Sequence, residues 1–284
     1  MKMAMYVTCV PINGVKINIV ICVALLCLVV GIKQYTYVAK SEKWNKYPIT
    51  HAMGKIDEVD YTNSLEAFQE SYAAGQRVFE VDFSITSDNK IVCKHYWDDW
   101  EYVPTAEEFL NTPINGKYTP LSLEDCLFLL KEYNDIWTVT DTKYSASDKV
   151  ELEFQAIMDV ANSNNMTDVL DRMIIQIYKE EMYGQIKEFY DFPCWIFTLY
   201  KSGWDGSAEE FVNYCQFSWN NHIKYITMPT ASVTDEVIEV ADRYGIRIYT
   251  HTVNDIQEAH NFLDQGVWGI YTDEILMEEL IKEE

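Results

Sequence analysis

From residue 47 onward the apolar positions alternate between two periods. Short runs rich in Val, Ile, Tyr, Phe and Thr fall at 48–52, 78–86, 136–142, 173–178, 194–200, 225–228, 246–253 and 269–272. Such runs predict strands. Between them the apolar residues recur three and four apart, as in Leu65, Phe68 and Tyr72, or Leu123, Cys126, Leu127 and Leu130. That spacing predicts helices over 64–74 and 122–133, with further ones over 148–162, 180–190, 207–217, 232–244 and 255–264. Eight strand–helix units predict an α/β protein, a (β/α)8 TIM barrel occupying residues 47–284. An extra strand at 90–96 is expected to form a hairpin with 78–86 across Ser87-Asp88-Asn89-Lys90. The alternative is an open doubly wound sheet. It wants a glycine-rich phosphate loop after the first strand, and Ala52-Met53-Gly54-Lys55 is not one.

The first 46 residues have a different pattern. The run Ile17 to Ile32 carries no charge, close to the roughly 20 apolar residues of a membrane span. Residues 1–32 are therefore expected to be an N-terminal membrane anchor with one transmembrane helix, and 33–46 a polar linker. A cleaved signal peptide would end in small residues, and Val30-Gly31-Ile32-Lys33 does not. A core helix would show a polar face, and only Asn18 is polar here. Lysine counting places the C-terminal side in the cytoplasm, whereas a short anchor before a large acidic domain favours export. The expectation is a single-pass membrane protein with its barrel on the extracytoplasmic side.

Charge sharpens this division. The chain of 284 residues has 45 acidic and 22 basic side chains, a net charge of −23. The first 46 residues are basic, so the excess acid lies in the barrel. Such a surface excludes nucleic acid as a partner, because a phosphate backbone needs a basic face. The seven cysteines have no CxxC spacing and read as small buried hydrophobes.

Barrel enzymes carry their chemistry at the C-terminal ends of the strands. That rule points to His51; to Glu80 and Asp82; to Asp141 and Lys143; to His251 and Asn254; and to Asp273. Glu80-Val81-Asp82 places two carboxylates on one strand face. Two inward carboxylates need neutralising, which a hard divalent cation does with oxygen ligands. Asp141-Thr142-Lys143 repeats the spacing on the next strand, offering a third ligand and an ammonium for a phosphate oxygen. His51 and His95, near that cluster, read as a general acid and a general base, in an order the sequence leaves open. Either pair of acids also fits a solvated strand end, and either histidine a structural role. Glycoside hydrolysis fails on geometry, because Glu80 and Asp82 share one strand face. The stretch from His95 to Tyr102 contains Tyr96, Trp97, Trp100 and Tyr102. It reads either as a lipid-contacting rim or as a loop packed on its own barrel mouth.

The ordered series His51-Ala52-Met53-Gly54, Tyr61-Thr62-Asn63-Ser64-Leu65-Glu66-Ala67-Phe68, Glu80-Val81-Asp82-Phe83 and Val92-Cys93-Lys94-His95 resembles the glycerophosphodiester phosphodiesterase superfamily. Thr250-His251-Thr252-Val253-Asn254-Asp255 and Gly266-Val267-Trp268-Gly269-Ile270-Tyr271-Thr272-Asp273 resemble its last two strands, so the likeness spans 48 to about 275. It implies a β/α barrel and metal-dependent phosphodiester chemistry. His51 and His95 would be the acid–base pair, Glu80, Asp82 and Asp141 the ligands of Mg²⁺ or Ca²⁺, and Lys143 a phosphate contact. Asp-x-Lys at 141–143 is more similar to the sphingomyelinase D branch, and the whole also resembles the phosphatidylinositol-specific phospholipase C barrel. Four positions depart from the pattern. Asp141 stands where the typical member has a glutamate ligand, and His251 where it usually has a different aromatic. Ala52 stands where the typical member has a phosphate-binding arginine, and Tyr96 where it has aspartate.

The expected activity is cleavage of a glycerophosphodiester or phospholipid-type phosphodiester by two-histidine catalysis, by water or through a cyclic phosphate. The alternative is a non-catalytic or lyase-type barrel that binds a lipid or an envelope polyol-phosphate.

Overall fold

The computed structural model describes residues 43–281 and the backbone of 11–12 and 15–16. The chain divides into two units, Met1–Lys43 and Trp44–Glu284. In the first, Pro11–Ile12 pairs antiparallel with Val15–Lys16. The helix expected over 17–32 lies outside the described residues. No helix among the described residues is long and apolar enough to cross a membrane.

The second unit is the expected barrel. Its strands are β1 (Ile49–Thr50), β2 (Val78–Ile85), β3 (Ile91–Cys93), β4 (Trp137–Thr142), β5 (Met173–Ile177), β6 (Cys194–Thr198), β7 (Tyr225–Pro229), β8 (Arg247–His251) and β9 (Gly269–Thr272). All but β3 run parallel in the order β1-β2-β4-β5-β6-β7-β8-β9, and β9 pairs back to β1 to close the cylinder. The short β3 is the expected hairpin partner, antiparallel to β2 and outside the ring. The larger helices follow their strands: α1 (Leu65–Ala73), α3 (Leu123–Glu132), α4 (Ser147–Ser163), α5 (Glu180–Lys187), α6 (Ala208–Asn220), α7 (Asp235–Tyr244) and α8 (Ile256–Gln265). Two shorter helices, α2 (Ala106–Leu110) and α9 (Met277–Leu280), have too few turns to show a period in the sequence.

Strand alternation sorts the side chains into two cores. On β2, Phe79, Val81 and Phe83 face outward and pack under the helices with Phe68, Leu127, Phe154 and Ile175. Val78, Val139, Ile174, Ile196, Tyr225, Tyr249 and Tyr271 fill the lower barrel interior around Trp44. Trp44 is fully buried, with its Nε1 donating to Cys194 Sγ at 3.2 Å. The expected linker to residue 46 therefore ends sooner. Trp44–Lys46 forms a 3₁₀ turn, and Trp44 is the plug of the barrel floor. The described cysteines, Cys93, Cys126, Cys194 and Cys215, are all buried, and none of them forms a disulfide.

Above that apolar floor the inward positions turn polar. Glu80 and Asp82 stand two and four residues beyond Val78. In the parallel ladder Asp82 lies beside Asp141, and Glu80 beside Val139. The register alone brings two strands' carboxylates to one level at the C-terminal mouth.

Candidate active site

The turn after β1 sets the first functional group. Ala52 and Met53 adopt left-handed backbone, with φ of 47° and 67°, and Gly54 follows at 99°. A left-handed conformation costs a non-glycine residue roughly 1–2 kcal/mol. Here it aims the Ala52 N–H at Glu80 Oε2, 2.8 Å away. Gly54 is required because a Cβ there would collide with Ser71 Oγ on α1, and that hydroxyl donates to Met53 O at 3.0 Å. Pressed onto α1 in this way, the turn points His51 into the barrel mouth.

His51 Nδ1 lies 2.8 Å from Asp273 Oδ1, at the end of β9. Asn254 donates to Asp273 Oδ2 at 2.6 Å and accepts from the Asp273 N–H at 2.9 Å, so the carboxylate is fixed from both sides. With Nδ1 committed to Asp273, Nε2 is the ring nitrogen left for chemistry. Burial works against charging His51. The hydrogen bond to Asp273 and the fields of Glu80 and Asp82 outweigh it and raise the imidazole to about 9. His95, beyond β3, is the opposite case. Burial, with Lys143 and His51 nearby, lowers it to about 4 against the pull of Asp82. Near neutrality one ring is cationic and the other neutral. Both touch the Tyr61 ring, at centroid distances of 4.8 Å for His51 and 4.5 Å for His95.

Glu80, Asp82 and Asp141 are all buried and offer carboxylate oxygens within 4.8 Å of one another. Lys143 Nζ forms ion pairs with Asp82 Oδ1 and Asp141 Oδ2. Asp82 Oδ1 faces that ammonium and takes no other hydrogen bond. Its second oxygen accepts from Asn63 Nδ2 at 2.7 Å, and Asn63 Oδ1 accepts from the Asp82 N–H at 3.0 Å. Two of the three carboxylates thus share one ammonium, and Glu80 accepts from the Ala52 N–H. Burial and then Asp82 push Glu80 up to about 8. Burial opposes ionisation of Asp82 too, yet Lys143, His95 and His51 hold it at about 2. Surplus buried negative charge on oxygen donors is the environment a hard divalent cation satisfies, and this donor set fits one.

A cavity of about 370 Å³ opens over these groups. Of the six residues expected from the sequence, His51, Glu80, His95, Asp141 and Lys143 line it, and Asp82 lies beneath, fully buried. The barrel rule also pointed to Asp273, the partner of His51, and to Asn254, which fixes it. His251 lines the wall with Nδ1 3.0 Å from Thr227 Oγ1; burial and then the charge on His51 lower it to about 4.

Three contributors carry no periodic signal. Asn63 clamps Asp82 from a left-handed loop position. Gln176 donates to Asp141 Oδ1 at 3.2 Å and accepts from Tyr271 Oη at 2.9 Å. Tyr200 reaches Asp141 Oδ2 at 3.5 Å and Tyr178 Oη at 2.9 Å. The aromatic stretch after His95 splits. Trp97 and Trp100 turn onto Phe109 of α2, and Trp97 Nε1 donates to Ile85 O at 3.1 Å. This is the packed-loop alternative. The open edge of the mouth is made instead by Tyr61, Tyr96 and Tyr200, each about 40 % exposed.

No protein-family model matches the sequence, and no curated protein is recognisably similar to it. Solved structures match the fold. A glycerophosphodiester phosphodiesterase from Parabacteroides distasonis superposes with a TM-score of 0.63 at 13% identity, covering 80% of this chain and 92% of its own. A phosphodiesterase from Oleispira antarctica, in complex with the product sn-glycerol-3-phosphate, gives 0.61 at 14%, covering 79% and 92%. The glycerophosphodiester phosphodiesterase of Thermotoga maritima gives 0.56 at 19%, covering 80% and 93%. At these identities the likeness is one of fold.

Proposed function

We propose that this barrel is a divalent-metal-dependent phosphodiesterase that cleaves a glycerophosphodiester or a phospholipid-type headgroup diester. The observation that carries the reading is the convergence of three buried carboxylates with two histidines of opposite protonation preference around one cavity. The activities named for structures of the same fold support the substrate class, and one of them holds sn-glycerol-3-phosphate.

Glu80, Asp82 and Asp141 would hold Mg²⁺ or Ca²⁺, which supplies positive charge to a non-bridging phosphoryl oxygen. Lys143 adds a second positive contact from the cavity wall. His95, neutral, takes the proton of the attacking group. His51, protonated and held by Asp273, gives a proton from Nε2 to the leaving alcohol. The attacking group is water or a neighbouring hydroxyl of the substrate. The second route leaves a cyclic phosphate, and the likeness of Asp141-Thr142-Lys143 to the sphingomyelinase D branch favours it. Residues 17–32 would tether the barrel to a membrane on its extracytoplasmic side, which protease protection of intact cells against permeabilised ones tests.

Ala52, at the position of the expected arginine, motivates a second reading, a barrel that binds a polyol-phosphate without cleaving it. Incubation with a panel of diesters and Mg²⁺, Ca²⁺ or Mn²⁺, followed by phosphorus NMR, separates the two and reports any cyclic product. Turnover that is lost in His51→Ala supports the enzyme. A wild type inert on the whole panel favours the binder, and a His51→Ala variant as active as wild type sinks the mechanism.

A further inference from the structure

The mouth of the cavity carries a cation that the chemistry above leaves unused. Lys201, in the loop between β6 and α6, holds its ammonium 5.5, 5.2 and 5.1 Å from the ring centres of Tyr96, Tyr178 and Tyr200. Two of those rings, Tyr96 and Tyr200, line the cavity. The Lys143 ammonium lies 5.0 Å from the centre of the same Tyr96 ring, so both lysines contact one aromatic ring.

Their electrostatic situations differ. Lys143 is committed to Asp82 and Asp141, Lys94 to Asp99, and Lys55 to Glu58 and Glu274. Lys201 makes no ion pair among the described residues, and what surrounds its ammonium is three tyrosine faces. A ring quadrupole attracts and orients a cation without neutralising it. The charge and the N–H donors stay available to an anion. An anionic substrate needs such a charge here, because it approaches a chain of net charge −23, and like charge slows encounter. The position expected to bring an arginine to the phosphate is Ala52, which brings none.

We infer that Lys201 receives the phosphoryl group of the substrate at the cavity mouth and supplies the positive contact that Ala52 lacks. The identity of the anion rests on the phosphodiesterase reading; the presence of an anion site at Lys201 does not. Lys201 is thus a binding and specificity residue, reached by substrate before the metal-ligand cluster.

The test is calorimetric titration of the detergent-solubilised full chain with sn-glycerol 3-phosphate, for wild type, Lys201→Gln and Lys201→Arg, at low and high salt. Loss of one charge-assisted contact weakens binding about tenfold or more. Lys201→Gln is expected to show that loss together with a flatter salt dependence, and Lys201→Arg to restore most of the affinity. Steady-state turnover of the diester identified by phosphorus NMR should show a raised KM in Lys201→Gln with kcat little changed. Binding by Lys201→Gln as tight as wild type, or no binding by wild type, overturns the inference. Wild-type turnover with an unchanged KM in Lys201→Gln overturns it and leaves the phosphodiesterase standing. Lys201-dependent binding without turnover does the reverse.

Discussion

Glu153 offers a quantitative check on the electrostatics behind the site. It lies on α4, fully buried, where one oxygen accepts from Thr142 Oγ1 at 2.8 Å and the other has no partner. Burial pushes its carboxyl up to about 8, against the Thr142 hydrogen bond, and Asp141 adds to the rise. In the unfolded chain it titrates near 4.5. Between those values the folded protein binds a proton that the unfolded chain does not, so stability falls as pH rises through this window. Each pH unit is worth about 1.4 kcal/mol. The loss reaches roughly 3 kcal/mol at pH 7 and on the order of 5 kcal/mol above pH 8. Glu153→Gln keeps the shape and the Thr142 bond but cannot ionise. Its amide N–H₂ needs a partner that the pocket does not offer, a cost of about 1 kcal/mol. Urea denaturation of both proteins should show Glu153→Gln equal to or slightly below wild type at pH 5. It should be about 3 kcal/mol or more above wild type at pH 8. Other titrating groups, Glu80 among them, are common to both proteins and cancel in the difference. A difference that does not change between pH 5 and pH 8 refutes the assignment of a buried, unpaired carboxyl.

In Asp273→Asn, His51 loses its anionic partner, and the alkaline limb of kcat/KM should move from about 9 toward the free-imidazole value; an unmoved limb would mean that Asp273 does not set the charge of His51. Saturating Mg²⁺ or Ca²⁺ should raise the wild-type Tm, by the equivalent of about 2.7 kcal/mol at a hundredfold excess over Kd. Glu80→Gln should abolish that shift, and retention of the full shift would place the cation elsewhere. Gly54→Ala combines a left-handed φ with a collision at Ser71 Oγ and should cost about 2 kcal/mol or more in urea melts; a neutral result would contradict the packing of this turn on α1.

The parts of this molecule legible in its sequence are those written as local periodicity. The eight strands and seven larger helices are periodic, and the barrel places Glu80, Asp82, Asp141 and Lys143 on inward positions by alternation alone. Closure is what the sequence leaves implicit. His51 and Asp273 are separated by 222 positions and meet only because β9 pairs with β1. The opposed protonation of His51 and His95 depends on burial and on charges from several strands, which no spacing encodes. Asn63 belongs to the Tyr61-Thr62-Asn63-Ser64 stretch, but its grip on Asp82 needs a left-handed loop conformation that a linear pattern does not display. Trp44 falls within the polar linker that the sequence predicts, because a single apolar residue has no period. Its place is set by a ring of tyrosines drawn from distant strands, with Tyr225 at 4.7 Å and Tyr249 at 5.7 Å between ring centres.

That tryptophan turns the barrel into a blind well. Its lower half is filled with side chains, so a molecule that reaches the carboxylates by the mouth leaves by the same doorway. A long polymer cannot thread through; it must present an end, or a headgroup that stands clear of its surroundings. On the phosphodiesterase reading, both fragments of a cleaved diester would share that one exit. Release would then be a traffic problem at the mouth, governed by Tyr61, Tyr96, Tyr200 and the lysine beside the last two.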